Sequence, residues 1–154
     1  MRARVVLHLA ALLLPVLPLA GWMLVVDRSL DWNSFAAMLF FAGPAVLAAQ
    51  LAAGLRWKAL QARAMAKGPA WLTGLGMAVL THLLFGILLV LALLVVSGAD
   101  EWTSMENWWQ LPAQALFFAF VSLSLTGVLT LPATAWIAHK VARLHQQEPA
   151  SEPA

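Results

Sequence analysis

Residues 70–97 read AWLTGLGMAVLTHLLFGILLVLALLVVS and contain no Asp, Glu, Lys or Arg. Crossing the hydrocarbon of a bilayer takes about 20 consecutive apolar residues in a helix. Backbone amides cannot stay unpaired in lipid, so an uncharged stretch of this length predicts a transmembrane helix. The segment therefore indicates an integral membrane protein.

Three further stretches lack charge in the same way, at residues 5–26, 35–55 and 113–138. The whole chain has 154 residues, of which 62% are hydrophobic and 10% charged, whereas about 25% are charged in a soluble domain. We therefore predict an all-α integral membrane protein, a four-transmembrane-helix bundle spanning residues 1–145. The polar, proline-containing segment 146–154 is expected to be a disordered cytoplasmic tail.

Basic residues are distributed unevenly about the four spans. Every Lys and Arg except Arg28 lies before span one, between spans two and three, or after span four. Because basic residues favour the cytoplasmic side, this pattern predicts a multi-pass protein of a bacterial-type inner (plasma) membrane with both termini cytoplasmic. The first apolar run continues to Val26, beyond the about 7–15 residues of a signal sequence, so we expect an uncleaved anchor.

The connections carry helix-end signals. Lys67-Gly68-Pro69 predicts that span two continues as a helix to about residue 66, that Gly68 adopts the left-handed cap conformation, and that Pro69 opens the next helix. On the other side, Ser34 is a candidate N-cap for span two.

Three basic residues of the second connection share one helical face: Arg56, Arg63 and Lys67. This face has two interpretations. It is either a solvated helix end that enforces topology or a binding site for lipid headgroups.

A weak internal repeat suggests a duplication. Leu24-Val25-Val26, followed by Trp32 and Ser34, recurs as Leu94-Val95-Val96 followed by Trp102 and Ser104, and residues 39–42 recur as 116–119. A true repeat would make the bundle two tandem parallel hairpins related by an axis along the membrane normal. The alternative is chance, because Leu, Val, Phe and Ala dominate all membrane spans.

His82 is the one titratable side chain deep in any predicted span, and small residues at positions 78 and 86 let another helix approach it. Together with Thr81, Ser124 and Thr126, it forms a candidate ligand site at the bilayer midplane. The alternative is a neutral histidine that hydrogen-bonds a Ser or Thr of a neighbouring helix and holds the helices together.

The loops opposite the basic side contain acids and tryptophans, namely Asp31, Trp32, Glu101, Trp102 and Trp108. They are candidates for a paired-carboxylate or ligand-stacking site. The alternatives are solvated loop acids and an interfacial tryptophan belt, in which amphipathic rings lie at headgroup level.

Other kinds of site find little support. The chain has no Cys, which excludes disulfides and thiol-based clusters. His8, His139 and His145 lack a shared metal-ligand spacing. No phosphate loop or hydrolase motif is present, so we expect no metal, no cofactor and no nucleic-acid partner.

These observations favour a non-catalytic accessory or assembly subunit of a membrane complex. It would contact the lipid bilayer and either a membrane-protein partner or further copies of itself, docking through its outer tryptophans and the alanine ridge of Ala45, Ala49 and Ala53. The alternative is a small transporter or lipophile-binding protein with its site at His82, in which Ser124 and Thr126 are the hydrogen-bonding partners of the imidazole. A surface enzyme using Asp31 and Glu101 is a third class.

Reporter fusions test the predicted topology. A reporter that works only in the cytoplasm should be active when fused after Lys67, because the basic connection is retained inside. A reporter that works only after export should be active when fused after Gly98. Fusions with the opposite pattern would contradict the predicted orientation.

Overall fold

A computed structural model describes residues 2–22, 31–97 and 109–148, and these form four helices. Helix α1 is Arg2–Trp22, α2 is Trp32–Met65, α3 is Ala70–Ser97 and α4 is Gln110–Gln147. The described ranges contain no strand. The predicted all-α class is confirmed.

All four helices are long and apolar enough to cross a membrane. With 28 residues, α3 is about 42 Å long at 1.5 Å per residue, more than the roughly 30 Å hydrocarbon thickness. Helices α2 and α4 are longer still, with 34 and 38 residues. The predicted spans 35–55 and 113–138 are therefore the central parts of longer helices, as fits a multi-pass membrane protein.

The start of α2 differs from the expectation. Asp31, not Ser34, is the N-cap, and its carboxylate accepts a hydrogen bond of 2.7 Å from the backbone N–H of Ser34. A carboxylate at this position satisfies an amide that has no partner within the helix and also faces the positive end of the helix dipole. The helix therefore begins at Trp32, before the predicted cap.

The turn between α2 and α3 closes as a Schellman motif. Gly68 N–H donates to the Arg63 carbonyl at 2.8 Å, and Lys67 N–H donates to the Ala64 carbonyl at 3.1 Å. The residue in the left-handed region is Lys67, with φ of 51°, so the expectation for Gly68 is wrong by one position. Because α2 ends at Met65, the left-handed position that follows the helix falls on the lysine.

The helices form an antiparallel ring in chain order. Each helix packs against its neighbour in sequence, α4 closes the ring against α1, and α2 also meets α4 across the diagonal. Among the described residues, α1 and α3 do not touch. The N-terminus of α1, the α2–α3 turn and the C-terminus of α4 thus lie together at one end, here called the basic end.

The alanine ridge of α2 lies inside the bundle. Of its residues, Ala49 and Ala53 are buried and Ala45 is half-buried, and Ala48 and Ala52 beside the ridge have no exposed surface. The sequence predicts the ridge as a docking surface, whereas in the structure Ala49 and Ala53 pack within the bundle. It is therefore not available as a docking surface, because its small side chains already allow the helices of the same chain to approach.

Helices α3 and α4 approach each other closely at two glycines. A Cβ atom built on Gly86 would overlap the Ala115 carbonyl oxygen and lie 2.9 Å from the Ala119 nitrogen. On Gly74, a Cβ would lie 2.7 Å from the Ala135 Cα. Backbone contacts this close exclude any side chain larger than hydrogen, so these glycines set the α3–α4 distance.

The C-terminal end of α4 is held against α1 and α2. The Gln146 side chain donates to the Ala64 carbonyl at 2.6 Å, and Glu148 accepts from the Ala3 backbone N–H at 2.8 Å. The tail was expected to begin at residue 146, but the helix continues to Gln147. Residues 149–154 lie outside the described part of the chain.

The internal repeat stays a prediction. Ala42 and Ala119, which correspond in the proposed repeat, are both buried. Of the other matched residues, Leu24-Val25-Val26, Trp102 and Ser104 lie outside the described residues.

Replacing Gly86 with alanine tests the close approach of α3 and α4. Gly86→Ala should lower the free energy of unfolding in detergent by about 1–3 kcal/mol, because the new methyl group overpacks a backbone contact. Gly54→Ala is the matched control, since no atom lies within 4 Å of a Cβ there, and it should stabilise the helix by up to about 1 kcal/mol. Equal effects of the two variants would contradict the close contact.

Candidate functional site

His82 lies on the face of α3 that packs against α4. Gly74, Ala78, His82 and Gly86 follow at intervals of four residues, and all four are buried. Four-residue spacing places them on one helical ridge. The small neighbours above and below therefore bring α4 close to the imidazole, as the sequence predicted.

Both ring nitrogens of His82 have a hydroxyl partner on α4. Nδ1 lies 2.8 Å from Ser122 Oγ, and Nε2 lies 2.9 Å from Thr130 Oγ1. A neutral imidazole offers one donor and one acceptor, and a hydroxyl can serve as either. The pair of hydroxyls can therefore satisfy the histidine completely in its uncharged form.

The other hydroxyls predicted for this site lie elsewhere. Thr81 donates to the Met77 carbonyl and Thr126 to the Ser122 carbonyl, each at 2.9 Å and within its own helix. Ser124 is exposed on the outer surface of α4. The expectation that Ser124 and Thr126 are the hydrogen-bonding partners of His82 is thus wrong, while ligand binding by these residues stays a prediction.

Helical periodicity explains the error at Ser124. Residues turn about 100° each around a helix, so Ser124 points roughly 200° away from Ser122. The correct signal was present as a four-residue ladder of hydroxyls on one face of α4, at Ser122, Thr126, Thr130 and Thr134. The position of a hydroxyl along the axis of α4 does not by itself tell whether it lies on this face or on the outer one.

A second polar pair joins α1 to α2. His8 Nδ1 lies 2.7 Å from Gln50 Oε1, and Gln50 Nε2 donates to the His8 carbonyl at 2.8 Å. Because the amide oxygen can only accept, the bonded Nδ1 is the donor. The sequence offered no signal for this pair, since the two residues lie in different spans without a shared motif.

The basic candidates lie along the α2–α3 contact. Arg63 donates to the buried Thr73 hydroxyl at 2.8 Å. The Arg56 guanidinium lies beside Gly76, since a Cβ atom built on Gly76 would be 2.8 Å from the guanidinium. Lys67 is exposed in the turn. Arg63 therefore has a partner in the bundle, Arg56 is exposed beside α3, and headgroup binding by the three stays a prediction.

Of the predicted outer-loop residues, the structure describes Asp31 and Trp32, which lie at the start of α2. Asp31 caps α2, while Trp32 is 75% exposed and lies 5.7 Å from the Phe35 ring. Glu101, Trp102 and Trp108 lie outside the described residues. The predicted convergence of Asp31 with Glu101 therefore stays a prediction.

Within residues 2–22, 31–97 and 109–148, no three His, Asp or Glu side chains come together as metal ligands.

In comparisons with known proteins, no family model, no curated protein and no solved structure matches the chain. The chemistry of the described side chains is thus the basis for any functional assignment.

Substitution of the hydroxyls tests the hydrogen bonds of His82. Ser122→Ala and Thr130→Val should each lower the free energy of unfolding in mixed micelles by about 0.6 kcal/mol, the average for a side-chain hydrogen bond between membrane helices. Ser124→Ala is the control and should have no effect, because that hydroxyl lies on the outer surface. A larger effect at Ser124 than at Ser122 would refute the arrangement.

Proposed function

We propose that the chain is a small multi-pass protein of a bacterial-type inner membrane and a non-catalytic accessory or assembly subunit of a membrane complex. The described residues include two buried polar side chains, Thr73 and His82. The observation that carries this proposal is that neither of them lacks a hydrogen-bonding partner. Each is hydrogen-bonded inside the bundle. Groups that are satisfied in this way stabilise helix packing, whereas a catalytic group needs access to a substrate.

Charge distribution supports the proposed orientation. The four helix ends with flanking Lys and Arg lie together at the basic end, through contacts such as Ala3 with Glu148 and Arg63 with Thr73. Basic residues are retained on the cytoplasmic side during insertion. The basic end is therefore proposed to face the cytoplasm, with both termini inside.

The outer face of α4 is the proposed docking surface for a partner. Its apolar side chains are among the most exposed in the described chain, including Leu125 at 76% and Val128 at 79%. Ser124 lies exposed within the same face. A hydroxyl directed out of the bundle at membrane depth gains a hydrogen bond when another helix packs there, whereas lipid tails offer none.

A small transporter or lipophile-binding protein is the second candidate. The hydroxyl ladder of α4 favours it, because Thr130 and Thr134 lead away from His82 towards the basic end. A ligand would have to displace Ser122 or Thr130 from an imidazole that is only 5% exposed. Ligand binding that is unchanged in His82→Ala would exclude this candidate.

Photo-crosslinking in the native membrane tests the docking surface. A photoreactive residue at Val128 should form an adduct with one protein partner, while the same residue at Leu51, which is 48% exposed on α2, should react mainly with lipid. Removal of the gene should then reduce the amount of the assembled partner complex in native gels. Lipid adducts alone at both positions, or unchanged assembly, would contradict the accessory role.

A further inference from the structure

A shallow groove runs along α1 at the basic end, next to α2. It has a volume of about 620 Å³ and is lined by Arg4, Val5, His8, Leu9, Leu12 and Gln50. Small-molecule sites usually occupy about 300–1,000 Å³ and are mostly apolar with a few polar groups. The groove is open to the surroundings, and its lining combines apolar side chains with a cation, a polar ring and an amide.

The side chains that line the groove along α1 become less polar with distance from the basic end. Arg4, His8 and Leu12 follow at four-residue spacing on one ridge of α1, so a cation, a polar ring and an alkyl side chain succeed one another. The ridge from Arg4 to Leu12 measures about 12 Å at 1.5 Å per residue, less than the roughly 15 Å of one hydrocarbon leaflet. This order matches a lipid of a single leaflet, with its headgroup at Arg4 and its acyl chain towards Leu12.

The polar floor is held in place by the His8–Gln50 pair. Both atoms of the Gln50 amide are engaged with His8, which fixes the imidazole against α2. Gln50 keeps one amide hydrogen and one oxygen lone pair beyond those engaged by His8. Arg4 is exposed and supplies the positive charge that an incoming headgroup would meet.

Glu148 is the described carboxylate that contacts the start of α1. Glu148 accepts from the backbone N–H of Ala3 and lies 3.4 Å from the His145 ring nitrogen. Ala3 is completely buried, so this contact belongs to the inner side of α1. A neighbouring residue is rotated by about 100°, which leaves the Arg4 charge available to an anion on the outer side.

We infer that this groove binds one anionic phospholipid of the leaflet at the basic end. The Arg4 guanidinium pairs with the lipid phosphate, and Val5, Leu9 and Leu12 contact the upper acyl chain. An arginine on a flexible stem reaches the headgroup level while its methylenes cover the apolar wall. The site is separate from the face of α4 proposed for a partner and does not depend on it.

Native mass spectrometry of the full chain in mild detergent tests the inference, with phosphatidylglycerol as the probe and phosphatidylcholine for comparison. The wild type should retain one phosphatidylglycerol in preference to phosphatidylcholine. Arg4→Gln should weaken its retention about fivefold, the effect expected for one basic residue at a membrane surface. Arg2→Gln removes the same charge outside the lining and should weaken retention clearly less than Arg4→Gln does, because Arg2 does not line the groove.

A second variant separates the acyl contact from the charge. Leu12→Trp fills the deep part of the groove, keeps Arg4, and should also weaken retention, while soluble glycerol phosphate should not compete with the lipid. Equal losses in Arg2→Gln and Arg4→Gln would show a diffuse charge effect and overturn the site. Competition by glycerol phosphate, or wild-type retention in both Arg4→Gln and Leu12→Trp, would overturn it as well.

Discussion

The backbone contact between α3 and α4 is the constraint on which the rest of the bundle depends. Gly86 lies against Ala115 and Ala119, and Gly74 lies against residues 134–138. Between these two points the helices are close enough for short side chains to reach across. A hydrogen bond from His82 to a serine or threonine needs this proximity, because hydroxyls at the Cβ extend only one bond from the chain.

Polar groups are paired at successive depths of the bundle. Arg63 bonds Thr73 near the basic end, His8 bonds Gln50 between α1 and α2, and His82 bonds Ser122 and Thr130 between α3 and α4. Inside a membrane, where the hydrocarbon holds no water, a polar group left unpaired would cost several kcal/mol, on the order of its desolvation energy. Each pair therefore also specifies which two helices adjoin.

Much of this arrangement follows from linear patterns. Uncharged runs gave the four helices, and the Lys67-Gly68-Pro69 signal placed the end of α2 within one residue. Cap assignments were less accurate, because Asp31 and Lys67 took the roles expected of Ser34 and Gly68. Several residue types can serve as caps, and where the helix ends determines which residue occupies the position.

The sequence by itself determined the helix count, the clustering of Lys and Arg at alternate connections, and His82 as the single titratable group deep in a span. Those features depend on local composition and on the cost of placing charge or unpaired backbone in hydrocarbon. The tertiary structure alone decided that the α2 alanines pack within the chain, that Ser122 and Thr130 bond His82, and that His8 meets Gln50. These outcomes depend on how each helix is rotated about its axis, and that rotation is set by packing between segments far apart in the chain.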